Sequence, residues 1–159
     1  MTTRNSTLFP YASAHSRLRQ DPLFLLAMFA GPAAWSILYL VLQPEPQWGW
    51  PLALPLQYLL PVVVYPLLEE IVFRGLVQEL VHEYISAQSL GPLSVANLLT
   101  SLLFTGMHFL YHAPLWAALV FMPSLVFGFF KDRTGKLAAP VVLHGFYNAG
   151  FLLMFTTPG

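Results

Sequence analysis

The chain has 159 residues, seven basic and seven acidic side chains, and a formal net charge of zero at pH 7. That length holds one domain, the balance of charge offers no basic field for nucleic acid, and the lack of cysteine excludes disulfides, thiolate metal ligands and thiol nucleophiles. Composition decides the class: 57% of residues are hydrophobic and 9% charged, against about 25% charged in soluble domains. With a mean hydropathy of +0.63, the chain reads as an integral membrane protein built only of helices.

Residues 1–20 form a polar N-terminal tail carrying Arg4, His15, Arg17 and Arg19, and residues 21–159 form a single transmembrane domain. No Asp, Glu, Lys or Arg occurs in 22–44, 46–68, 84–130 or 137–159. A spanning helix needs about 20 apolar residues, so the pattern predicts an all-α bundle of five transmembrane helices, at 22–42, 51–84, 93–112, 115–131 and 137–156. The fourth is the shortest and is expected to cross a thin region or tilt. The first run exceeds a signal-peptide core and lacks a small-x-small cleavage site, so it reads as an anchored helix.

The Lys131, Arg133 and Lys136 loop falls on the same side as the basic tail. The positive-inside rule places both in the cytoplasm and the C-terminus outside. Trp48 and Trp50 then read as an outer interfacial belt. Gly91-Pro92, Ala113-Pro114 and Gly135 punctuate the later helices. Pro61 and Pro66 lie inside the second helix, which is expected to kink or break just before its charged residues.

Ionisable groups inside a membrane cost a few kcal/mol each and therefore have partners and a role. The second helix carries Leu68-Glu69-Glu70-Ile71-Val72-Phe73-Arg74-Gly75. Glu70 and Arg74 stand at i,i+4 and share a face, whereas Glu69 points about 100° away and stays free for other work. A solvated cytoplasmic extension of the helix accounts for these residues equally well, and Glu79, His82 and Glu83 are assigned to such a face. His108 on the third helix, with His144 and Asn148 at i,i+4 on the fifth, shifts the balance toward one convergent polar site. His112, near a helix end beside Pro114, reads as interfacial, and His15 in the tail has no assigned role.

A carboxylate and an imidazole can deprotonate a shared water, and a second imidazole with an amide can stabilise an oxyanion. This is a hydrolytic set without a nucleophilic side chain or a cofactor. The alternative is a zinc ion held by Glu69, His108 and His144, which the wide spacing of the two histidines and the lack of an HExxH motif do not support. A second class of function is a non-catalytic membrane protein (an immunity factor, a chaperone or a transporter subunit) in which the same residues form an interhelical hydrogen-bond network.

Glu69-Glu70-x-x-x-Arg74, Phe104-x-x-x-His108 and His144-x-x-x-Asn148, in that order on successive helices, resemble the CAAX protease and bacteriocin-processing family of intramembrane glutamic proteases. The resemblance covers residues 69–148. It implies an endopeptidase in which Glu69 and His108 activate water, His144 and Asn148 form the oxyanion site, and Glu70 and Arg74 support and orient. Larger members have about eight helices, where five are expected here. The short form, with Asp21-Pro22-Leu23-Phe24, Gly31-Pro32 and Trp35 in its first helix, is similar to stand-alone bacterial members linked to C-terminal sorting signals on exported proteins. The resemblance thus implies a protein or peptide partner, lipid surroundings and the bacterial cytoplasmic membrane. One geometric question follows: His108 is expected near the outer end of its helix, and Glu69 and His144 in the inner half of theirs.

Overall fold

A computed structural model describes residues 18–156, so the calls on Arg4, His15 and Arg17 lie outside the described residues. Helix α1 (Pro22–Leu42) starts at Asp21, whose side chain accepts the Leu23 N–H at 3.0 Å, with proline at the first helical position. Two short helices follow, α2 (Trp50–Ala53) and α3 (Pro55–Leu59). From Pro55 the chain stays helical to Tyr84, through π-helical segment π1 (Leu60–Val64), α4 (Tyr65–Glu70), π-helical segment π2 (Ile71–Val77) and α5 (Gln78–Tyr84). A hairpin, β1 (Ser89–Leu90) paired antiparallel with β2 (Leu93–Ser94), turns at Gly91-Pro92, where Gly91 has φ +65°. Then come α6 (Val95–His108), α7 (Pro114–Leu119), α8 (Phe121–Thr134) and α9 (Ala138–Phe155).

The architecture is an all-α membrane helix bundle. Among the described residues, three helices are long and apolar enough to cross a bilayer: Pro22–Leu42, Pro114–Thr134 and Ala138–Phe155. Three expectations change in detail. The fourth helix is not the shortest, because α7 and α8 run on as one stretch of 21 residues. The third shortens to the 14 residues of α6, about 21 Å at 1.5 Å per residue and less than the ~30 Å hydrocarbon core. The second helix does not break at Pro61 or Pro66. It widens into π turns around Pro61, runs through Pro66 as α-helix, and the actual interruption lies at Leu54 (φ −129°, ψ 62°), just before Pro55.

Burial is arranged for a lipid solvent. Large apolar side chains face outward along α1, with Phe29, Leu40 and Val41 each more than two-thirds exposed, while Glu70, Arg74, Asn97, Ser101 and Ser124 are fully buried. Packing follows the same inversion. Helices α6 and α8 approach over Gly128, where any β-carbon would overlap the Asn97 amide. Asn97 Nδ2 donates to the Leu125 carbonyl at 2.9 Å, and Asn97 Oδ1 accepts from Ser101 Oγ at 3.0 Å. Trp35 of α1 lies over Gly150 of α9 and against Phe146, and Tyr147 Oη donates to the Ala27 carbonyl at 2.6 Å. An apolar layer of Phe24, Ala27, Phe127, Phe130, Ala139 and Leu143 joins α1, α8 and α9.

One end of the bundle is tied by ions and caps. Ser94 caps α6 by accepting the Asn97 N–H at 2.9 Å and donates to Asp132 Oδ2 at 2.6 Å. Gln78 Nε2 donates to Asp132 Oδ1 at 2.7 Å and to the Gly128 carbonyl at 3.1 Å. Lys131 pairs with the exposed Glu79, and Arg133 Nε with Asp21 at 3.2 Å. Gly135, with φ +68°, closes α8 in the left-handed conformation. Of the two tryptophans expected at an interface, Trp48 is exposed, but Trp50 is buried edge-on against Tyr58. Its ring is taken up by intramolecular packing.

Gly128→Ala is expected to destabilise the bundle by about 1–3 kcal/mol through overpacking against Asn97, read as a lower melting temperature in detergent. An unchanged melting temperature would show that the α6–α8 contact is loose.

Candidate active site

The site is built on a stripe of four residues. Pro66, Glu70, Arg74 and Gln78 are all buried and spaced by four. In an ideal α-helix such a stripe drifts about 40° per step, because four residues exceed one turn of 3.6. The i→i+5 turns of π2 rotate less per residue and offset that drift. The widening thus keeps one polar face directed into the bundle over three turns.

Glu70 Oε1 is the centre. Arg74 Nη1 lies 3.3 Å from it, an ion pair without an aligned hydrogen bond, and His144 Nδ1 lies 2.8 Å away on the other side. Since a carboxylate only accepts, the His144 Nδ1–H donates, which turns Nε2 toward Glu69, 3.6 Å from Oε2. Arg74 Nη2 donates to Ser124 Oγ at 2.6 Å and to the Ser124 carbonyl at 3.0 Å. Its guanidinium lies 4.7 Å from the Phe104 ring centroid and 5.6 Å from that of Phe127. Phe127 stacks on His144 at 4.9 Å, and Phe104 meets the same imidazole edge-on at 5.8 Å. Two phenyl rings therefore wall a buried Glu-Arg-His cluster.

The two adjacent glutamates have different surroundings. The Glu70 side chain is 0% exposed, whereas that of Glu69 is 34% exposed. Glu69 is the carboxylate that a substrate or water can reach. His108 donates from Nδ1 to the Phe104 carbonyl at 2.8 Å, leaving Nε2 as an acceptor. Its ring packs on Phe104 at 4.5 Å and stacks on His112 at 5.5 Å. Asn148 Nδ2 donates to the Pro61 carbonyl at 2.8 Å.

The structure therefore draws Glu69, Glu70, Arg74 and His144 together and packs His108 on Phe104, whose ring also meets His144 and Arg74. Glu69 sits midway along the helical run from Pro55 to Tyr84, and α6 ends at His108. Among the described residues no hydrogen bond joins Glu69 to His108. Nor are three or more His, Cys, Asp or Glu residues arranged to hold a metal ion there.

Ser124, Phe127 and Gln78 were not singled out from sequence. Serine and phenylalanine in an apolar helix carry no signal, although Gln78, four residues beyond Arg74, extends a spacing that was available to notice. Of the residues set aside, Glu79 and Glu83 are exposed and His82 is half-buried, while His112 touches His108 directly.

The chain is thus a helical membrane bundle that brings Glu69, Glu70, Arg74 and His144 together. The family model for Rce1-like type II CAAX prenyl endopeptidases matches residues 51–150. That is more than half of the chain, which belongs to this family, a family of peptidases acting on protein or peptide substrates. No curated protein and no solved structure matches the chain.

Removing one partner of a buried ion pair costs about 3–5 kcal/mol. Arg74→Met is expected to destabilise by that amount in detergent melts. Combining it with Glu70→Gln is expected to cost less than the sum of the single changes, since no charge is then left alone. Strict additivity would mean that the pair is not coupled.

Proposed function

We propose that the protein is an intramembrane endopeptidase that hydrolyses a peptide bond with water activated by Glu69 and His108. The observation that carries this reading is the division of labour between adjacent carboxylates: Glu70 is spent on Arg74 and His144, while Glu69 remains partly open beside His144. Water held between Glu69 and the acceptor Nε2 of His108 would lose its proton as its oxygen attacks the scissile carbonyl carbon. The developing oxyanion would be met by His144, in the form that carries a proton on Nε2, and by the second amide proton of Asn148. The proton taken from water would then pass to the leaving amine. Arg74 and Glu70 act by orienting His144 and by supplying the fixed charge around it.

The chemistry needs no metal, and the substrate is a membrane-associated or exported protein, with a C-terminal sorting signal as the class that the resemblance of the first helix suggests. The short basic loop at Lys131, Arg133 and Lys136 supports a bacterial cytoplasmic membrane orientation with the N-terminus inside.

With purified protein and a peptide substrate, Glu69→Gln is expected to lower kcat by at least about 10²-fold while leaving the melting temperature in place. A chelator such as 1,10-phenanthroline is expected to leave the rate unchanged. Loss of activity to the chelator, restored by zinc, would replace the glutamate mechanism by a metal one. A melting temperature that falls in Glu69→Gln, in a protein without hydrolytic activity, would favour the non-catalytic network.

A further inference from the structure

Asn148 is held by a carbonyl that an ordinary helix would not offer. In π1 the Tyr65 N–H bonds to the Leu60 carbonyl, the i→i+5 register. In the same register the next carbonyl, Pro61, would receive the N–H of residue 66. Residue 66 is proline and has none. The Pro61 carbonyl is therefore left to a side chain, and Asn148 Nδ2 reaches it at 2.8 Å across the gap between two helices. The approach is close because residue 145 is glycine: a β-carbon there would lie 2.6 Å from the Val62 carbonyl oxygen. Tyr58 Oη reaches the Ala149 carbonyl at 3.4 Å beside it.

We propose that Pro66 is a positioning residue for Asn148. By withholding a backbone donor it reserves the Pro61 carbonyl for the amide, and so fixes the rotamer of Asn148 one turn from His144. Since one amide proton is taken by Pro61, the other is held in a defined direction and is the one free for a substrate carbonyl. Pro66 itself is fully buried, four residues before Glu70. It touches neither substrate nor reacting atoms. The role assigned to the second amide proton rests on the peptidase reading; the reservation of the carbonyl does not.

The chain contains three asparagines, Asn5, Asn97 and Asn148, and two Pro-Val pairs, at 61–62 and 140–141. Protein in detergent micelles labelled with 15N-asparagine thus shows three side-chain amide pairs. Carbonyl-13C proline with 15N-valine shows two carbonyl-linked amides. In Pro66→Ala, the Asn148 pair is expected to move toward its solvent-exposed position while the Asn97 pair stays, which also reports that the bundle remains folded. An Asn148 pair unchanged in folded Pro66→Ala would overturn the proposal. Should Pro66→Ala not fold, Asn148→Ala serves instead: the Pro61 carbonyl signal is expected to shift as its donor is lost, and an unshifted signal means another group holds that carbonyl and the proposal is wrong.

In peptidase assays, Pro66→Ala is expected to lower kcat by about the 10²-fold typical of one lost oxyanion donor with KM unchanged, and Asn148→Ala added to it is expected to lower kcat no further. If Asn148→Ala alone leaves kcat intact, the catalytic role of Asn148 fails, and the two spectroscopic outcomes still decide whether Pro66 positions it.

Discussion

A carboxylate with no exposed surface, placed inside a membrane protein, dominates the organisation of this molecule. Glu70 would cost several kcal/mol as an isolated ion, and its neighbours are arranged to meet it. Arg74 one turn on supplies charge, and His144 from another helix supplies a hydrogen bond. Each partner then brings its own requirement. Arg74 must place its remaining donors, which draws in Ser124 from α8, and its flat cation is covered by Phe104 and Phe127. The bundle's interhelical contacts near the site can be traced outward from this one charge.

The backbone register is the second constraint. Polar residues repeating every four positions do not stay on one face of an α-helix. The chain meets this with a π-helical stretch at Ile71–Val77 rather than with a kink. A second widening, at Leu60–Val64, contains Pro61 and ends two residues before Pro66. Helix widening of this kind costs backbone energy, and it is found here on both sides of the two glutamates, where it exposes a carbonyl in one place and aligns side chains in the other. The network beyond it, Gln78 with Asp132, Ser94 and the Asn97 amide, ties α5, α6 and α8 and holds the stripe in position.

Adjacent residues on a helix face different directions, and that fact separates the two glutamates functionally. Glu70 is enclosed, with Oε1 engaged by Arg74 and His144. Glu69 borders accessible space next to an imidazole nitrogen. The asymmetry is one of access: Glu69 is partly exposed and Glu70 is not. His108 and Asn148 each have one side-chain nitrogen engaged by a backbone carbonyl and another polar group left available.

Much of this was readable from the residues alone. The charge-free runs made the membrane bundle evident, because length and apolarity are local properties of a helix in lipid. The Glu70–Arg74 pairing followed from i,i+4 geometry, and the order of the Glu-Glu-Arg, Phe-His and His-Asn motifs pointed to the family. Other features depended on contacts between helices. What His108 packs against turned on Phe104, whose ring also meets His144 from another helix. What fills the Pro61 carbonyl turned on a side chain, Asn148, that lies 87 positions away in the chain. The roles of Ser124 and Phe127 turned on which helix faces Arg74. Local spacing determines what a residue can offer its own helix; only the packed bundle determines which buried donor meets which buried acceptor, because in lipid each must find its partner on a neighbouring helix.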